Sequence, residues 1–247
     1  MTRELHVFRD PALDGPTNMA RDEHLLYSEA YRPAAVRIYA WSPPTISLGC
    51  FQFYAQVAEL PAEVRYLPVV RRPTGGGAIL HDREVTYCLV VDDSLPIARQ
   101  APVELYRLVH GLWRDALSGN ESRVELAPDH FPLPSPRGGP FFCFEKPART
   151  DLIIGSDKLL GSAQRRIRGR VLQHGSLLLG RRFAAHPGAD LGEPEPQRVA
   201  GWIEGFLERL AQGLSLEQRR GKWTPEQLAD IEKRRRHYAS DVWTRRR

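Results

Sequence analysis

The chain has 247 residues, 42% of them hydrophobic and 26% charged, with 20 Gly, 20 Pro, no internal repeat and a net charge of +5. That balance excludes collagen-like, coiled-coil and disordered chains and fits a single globular domain. The longest apolar runs, 87–91 and 177–179, fall far short of the ~20 residues that cross a bilayer, and the polar start of the chain is no signal peptide, so a cytoplasmic protein with no membrane partner is expected.

Residues 5–8 alternate as a short strand, and Asp14-Gly15-Pro16-Thr17 opens a helix that Thr17 or Asn18 caps and that runs to about Glu29. Short strands are expected at 36–40, 45–48 and 66–70, with a helical stretch near 55–59. After the turn Pro73-Thr74-Gly75-Gly76-Gly77, residues 78–81 and 85–91 read as a hairpin pivoting on Asp82-Arg83. A regular helix begins at Pro102 and carries Leu105, Leu108, Val109, Leu112, Trp113, Ala116 and Leu117 on one stripe until Gly119-Asn120 stops it. A strand at 123–126 leads into 127–142, whose five prolines and two glycines predict a long irregular loop ending at Cys143. Residues 150–154 and 158–164 form a hairpin around Gly155-Ser156-Asp157, and 170–179 adds a third strand. Beyond a Pro/Gly loop at 181–196, one helix spans 198–210 and another starts at the capping box Thr224-Pro225-Glu226-Gln227. Hairpin-joined strands with interspersed helices define an α+β protein: a single domain over 1–247 with one mixed, largely antiparallel sheet flanked by helices, the C-terminal ones within about 197–240.

Three segments concentrate chemistry. In Arg71-Arg72-Pro73-Thr74-Gly75-Gly76-Gly77-Ala78, with His81 beyond, the glycines let backbone approach a ligand and a guanidinium offers a fork for an oxyanion. A flexible turn beside a surface arginine is the plainer alternative. In 157–166, Lys158 opens a strand on which Gly161 and Ala163 alternate as a bare face, with room for a flat or acyl ligand. An edge lysine that keeps the strand soluble is the alternative there. Gln173-His174-Gly175-Ser176 interrupts an apolar strand, either as part of a site or as a buried, hydrogen-bonded histidine. The three cysteines, Cys50, Cys88 and Cys143, form no C-x-x-C pair, so no metal site is expected and each stands as a single thiol. Seven Lys or Arg against Glu232 and Asp241 in 232–247 account for the whole net charge, as a solvated helix face or a docking tail.

The order and spacing of Arg72-x-Thr-Gly-Gly-Gly, Lys158-x-x-Gly-Ser-Ala-Gln and His174-Gly-Ser is similar to the lipoate-protein ligase and octanoyltransferase family. Gly15-Pro-x-Asn-Met-Ala-x-Asp-Glu and Ser47-Leu-Gly-Cys-Phe-Gln extend the resemblance over 15 to about 180, which would be the acyl-binding core. It implies a domain like the catalytic domain of biotin and lipoate ligases, with Lys158 on the carbonyl or acyl-phosphate oxygen of the ester. Arg72, Gly75, Gly76 and Gly77 would shape the acyl pocket, lined also by Gly161, Ser162, Ala163 and Gly175, while His81, Gln164 and His174 position the ligand.

A nucleophilic thiol should be accessible and near cations. Cys88 lies in an apolar strand and Cys50 reads as packing, whereas Cys143 has Lys146 and Arg149 close in sequence. Cys143-Phe144-Glu145-Lys146-Pro147 also resembles the nucleophile segment of the octanoyltransferases, although Arg149-Thr150-Asp151 looks more like an element of the ATP-using ligases. The reading is therefore an octanoyltransferase that needs no cofactor, taking octanoate from acyl carrier protein through Cys143 to a lysine of a lipoyl domain or glycine cleavage H-type protein. The strip Arg165, Arg166, Arg168 and Arg170 could dock such an acidic acceptor. The alternatives are a lipoate ligase using ATP and Mg, and a non-catalytic acyl-domain or nucleic-acid binding module, with nucleic acid not expected as a partner.

Overall fold

The computed structural model describes residues 3–119, 123–133, 135, 137 and 139–247. Strand β1 (Glu4–Leu13) leads into helix α1 (Gly15–Tyr27), then β2 (Ala34–Trp41), β3 (Thr45–Leu48), the helical turn α2 (Ala62–Arg65), β4 (Val69–Arg71), β5 (Ile79–His81) and β6 (Glu84–Asp92). The short α3 (Pro96–Arg99) and the long α4 (Pro102–Leu117) precede β7 (Val124–Leu126), β8 (Leu152–Ile154), β9 (Asp157–Ile167) and β10 (Arg170–Leu178). Helix α5 (Pro196–Leu214), β11 (Glu217–Arg220), α6 (Pro225–Tyr238) and α7 (Asp241–Thr244) close the chain.

The expected mixed sheet has eight strands in the order β11-β1-β2-β6-β10-β9-β8-β7, parallel at β11-β1-β2 and antiparallel elsewhere. Helices cover both of its faces. Leu89 and Val91 of β6 pack in a cluster with Val109 and Trp113 of α4 and Phe206 and Leu210 of α5. Cys88 and Val90, pointing the other way, join Met19, Leu25 and Leu26 of α1 and Ile231 and Tyr238 of α6. A strand buried on both faces has no polar positions to alternate with, which is why β6 reads as a continuous apolar run. Trp113 and Phe206 stack at 4.0 Å between ring centroids and are fully buried. Trp113→Ala is expected to cost about 3–5 kcal/mol, seen as a lower midpoint of denaturant unfolding at unchanged slope.

Beside this sheet lies a second one of three strands, β4-β3-β5. It corrects the expected hairpin of 78–81 and 85–91. β5 pairs with β3, whereas both edges of β6 are taken by β2 and β10. A two-residue hairpin needs φ > 0 at one or both central residues, which Asp82-Arg83 lacks as a sequence, so the link crosses between sheets instead.

Other boundaries also move. The α1 cap is Asp14, whose Oδ1 accepts the Thr17 N–H at 2.8 Å, rather than Thr17 or Asn18, and a 3-10 turn at Glu29–Tyr31 follows the helix. Asn18 Nδ2 instead donates to the carbonyls of Leu13 and Ala40. The strand expected at 66–70 shrinks to β4 because α2 precedes it and Tyr66 is 79% exposed. The exposed, charged β11 carried no apolar signal to find it by. The stop at Asn120 lies outside the described residues. The basic tail is not a free arm: Arg234 pairs with Glu23 and Asp230, Arg235 with Glu232, and Arg71 holds the Thr244 carbonyl at 2.8 Å.

Candidate active site

Among the described residues, the long loop returns to the small sheet through a bridge between Ala78 and Phe142. The Cys143 N–H donates to the Ala78 carbonyl at 2.8 Å, and a 3-10 turn, Cys143–Glu145, follows. Gly77 permits that approach, since a methyl group on it would lie 2.8 Å from the Cys143 nitrogen. Cys143 is partly exposed, whereas Cys50 and Cys88 are buried, and burial, the largest cause, pushes the Cys88 thiol well up.

Lys158 of β9 is only 3% exposed and donates from Nζ to Cys143 Sγ at 3.3 Å and to Asp151 Oδ2 at 2.8 Å. Burial would lower such a lysine, yet Asp151 and then Cys143 outweigh it and hold the ammonium charged, above its ordinary range. It is therefore no edge lysine. The cation beside the sulfur is Lys158, not the sequence neighbour Arg149, which turns to Asp129 at 3.6 Å. Asp151 also accepts the Ala148 N–H at 2.7 Å.

The bare face expected at Gly161 and Ala163 is filled at Gly161 by the protein itself. A methyl group on Gly161 would lie 2.0 Å from Lys158 Cε, so that glycine seats the lysine stem. Gly175, opposite both Ser162 and Tyr87 in register, leaves the space in which the Ser162 and Tyr87 hydroxyls meet at 2.6 Å. Gln164 donates to Gln173 at 2.8 Å, and Ala163 lies opposite His174 on β10.

The Arg72 fork is also occupied. It is buried and donates to the carbonyls of Ser47 at 2.6 Å, Gly75 at 3.1 Å and Gly77 at 2.8 Å, pinning the glycine turn, while burial pulls it down to about 10. His174 bridges Thr74 Oγ1 at 2.7 Å and Asp22 Oδ2 at 3.0 Å, and Arg37 holds Asp22 at 2.8 Å. His81 stacks on Trp41 at 3.7 Å and lies between Glu84 at 2.7 Å and Ser47 at 2.6 Å. Burial, the largest cause, lowers His81 below its ordinary range, against the pull of Glu84. Arg72, His81, His174 and Gly175 line a crevice of about 10 Å³, room for about one water. Gly76 and Gly77 line a larger cavity of about 270 Å³ with Phe51, Phe53, Phe141 and Arg137, and neither Cys143 nor Lys158 reaches its wall.

The expected arginine strip is dispersed. Arg165 donates to Pro73, Arg166 to Ala98 and Gln100, and the buried Arg170 to Ser28 and Leu25 at the end of α1. Two residues outside the candidate site read from the sequence emerge as central, Asp151 having entered there only within the Arg149-Thr150-Asp151 element. Asp151 is an acid at the head of the apolar strand β8, and His110 is a polar residue on the α4 stripe of Tyr106, Trp113 and Leu117; either mismatch with its surroundings was a usable signal.

A motif-bearing β9-β10 pair, a loop thiol and a buried lysine thus converge in one mixed-sheet domain, and residues 14–193 match the lipoyl protein ligase A/B catalytic domain. The chain belongs to that family. Its relatives include octanoyltransferase LipM of Kyrpidia tusciae, 35% identical over 266 residues that cover 93% of this chain and 94% of that protein. Octanoyltransferase LipM of Geobacillus kaustophilus is 39% identical over 188 residues, 72% of this chain and 67% of that protein. The fold is shared with a crystal structure of lipoate-protein ligase A bound with ATP, at a TM-score of 0.76 and 16% identity over 99% of both chains.

Proposed function

We propose that the chain is an octanoyltransferase of protein lipoylation that carries octanoate as a thioester of Cys143. One observation carries the route through sulfur: a buried ammonium fixed by Asp151 lies 3.3 Å from a partly exposed thiol. The octanoyltransferase relatives support the transfer itself.

Cys143, having lost its proton to solvent, attacks the carbonyl of the octanoyl thioester on acyl carrier protein. The carbonyl oxygen gains charge as the tetrahedral intermediate forms, and Lys158 Nζ stabilises it. The carrier's carbon–sulfur bond breaks and its thiolate leaves to take up a proton. In the second half, the amine of a lipoyl-domain lysine attacks the Cys143 thioester, the new amide forms with loss of the amine's proton, and the Cys143 thiolate is released. Arg72 and His174 hold the walls of the acyl crevice rather than the reacting atoms.

Incubation with octanoyl carrier protein is expected to add one octanoyl group to Cys143, located by peptide mass, and a lipoyl domain should then discharge it. Lipoate-dependent exchange of pyrophosphate into ATP that is indifferent to Cys143 would instead establish the ligase. Gly161→Ala places its methyl group against the end of Lys158 and forces it aside. The displaced ammonium loses Asp151 as well as the sulfur, so thermal stability is expected to fall together with transfer, the latter by about 10²-fold.

A further inference from the structure

His110 of α4 is buried and its ring nitrogens bond to neither Cys143 nor Lys158, yet it anchors a continuous hydrogen-bonded chain across the large sheet. The direction of that chain is forced at both ends. Arg166 Nε can only donate, so Gln164 accepts from it through Oε1 at 3.2 Å and offers its amide N–H to Gln173 at 2.8 Å. Gln173 donates to Tyr87 at 2.7 Å, Tyr87 meets Ser162 at 2.6 Å, and Ser162 meets His110 Nε2 at 2.6 Å. At the far end, His110 Nδ1 lies 2.6 Å from the Thr150 carbonyl, which can only accept. Nδ1 therefore carries the proton and Nε2 accepts from Ser162. Burial, the largest cause, lowers His110 to about 4, so the neutral ring keeps this tautomer at neutral pH.

The carbonyl that His110 holds belongs to a strained residue. Thr150 has φ 74°, a left-handed conformation costly for a β-branched side chain, and it persists only where its surroundings fix it. The next residue is Asp151, which holds Lys158 at 2.8 Å. On the other side, Ser162 adjoins Gly161, the seat of the lysine stem.

We propose that His110 is a positioning residue: by clamping the Thr150 carbonyl in its left-handed conformation it aims Asp151, and through Asp151 the Lys158 ammonium, at the Cys143 sulfur. This rests on the roles proposed above for Cys143 and Lys158. Ser162 and Gln164 then serve the clamp rather than the ligand, with Gly175 as the gap through which the chain passes.

The test reads Cys143 reactivity without substrate, as the pH midpoint of iodoacetamide labelling located by peptide mass. In His110→Gln, which loses the Nδ1 donor, the midpoint is expected to rise by about one pH unit, a tenfold slower labelling at a fixed pH below it. His110→Asn can place an amide N–H near the Nδ1 position and should return most of that shift. A residue that only supported the fold would lower thermal stability and leave the midpoint in place. Equal midpoints in the parent and His110→Gln, or equal shifts in His110→Gln and His110→Asn, would overturn the proposal. Should His110→Gln fail to fold, Ser162→Ala decides: removing the donor to Nε2 should raise the midpoint, and an unmoved midpoint overturns the clamp. Octanoyl transfer onto parent Cys143 is measured separately, so failure of the thioester reading leaves the labelling result to stand alone.

Discussion

Replacing Cys143 by alanine is expected to abolish the acyl-enzyme and reduce octanoyl transfer by about 10³-fold or more, because both half-reactions pass through that sulfur. Such a loss corresponds to about 4 kcal/mol or more of transition-state stabilisation. The fold should be indifferent. Cys143 is partly exposed, its side-chain hydrogen bond among the described residues is to Lys158, and Lys158 retains Asp151 as its partner when the sulfur is gone. A thermal midpoint close to that of the parent, beside absent transfer, is therefore the expected pair of results. Cys143→Ser keeps the shape but supplies a poorer nucleophile, so it should accept octanoate far more slowly. Full transfer by Cys143→Ala would remove the thioester route.

Lys158→Met has the other large expected effect, and it falls on activity and stability together. Loss of the ammonium removes the stabilisation of the developing oxyanion, which costs about 10²–10³-fold in turnover for comparable donors. It also leaves Asp151, 2% exposed, as a buried carboxylate with no counter-charge, a change that costs about 3–5 kcal/mol in buried pairs. A second substitution separates the two. Adding Asp151→Asn removes the buried charge. The double variant should regain stability while transfer stays low. Recovery of transfer in the double variant would show that Lys158 matters only for the fold.

The two variants probe the pairing that the sequence left undefined. Cys143, Lys158 and the glycine turn were legible as residues because the order and spacing of their segments resemble those of a known family, not because any one segment was decisive alone. Which cation would face the sulfur was not. Arg149 is six residues from Cys143 and Lys158 fifteen, yet the turn back through β8 and β9 brings the farther one to 3.3 Å. The small residues were legible as gaps but not by their contents: Lys158 fills the space at Gly161, and two hydroxyls meet in the space at Gly175.

By itself the sequence determined the local features: the proline-led helix α4, the 198–210 body of α5, which the structure extends to Pro196–Leu214, the capping box of α6, the doubly apolar strand β6 and the loop that delivers Cys143. These arise from interactions within a few residues, through backbone dihedral preferences, terminal hydrogen bonds and hydrophobic period. Only the tertiary structure decided that β5 leaves β6 for a second sheet, that Arg72 holds backbone carbonyls, and that His110 reaches the residue before Asp151. A buried polar group must find a partner, and what identifies the partner is distance in the packed molecule, which separation along the chain does not encode.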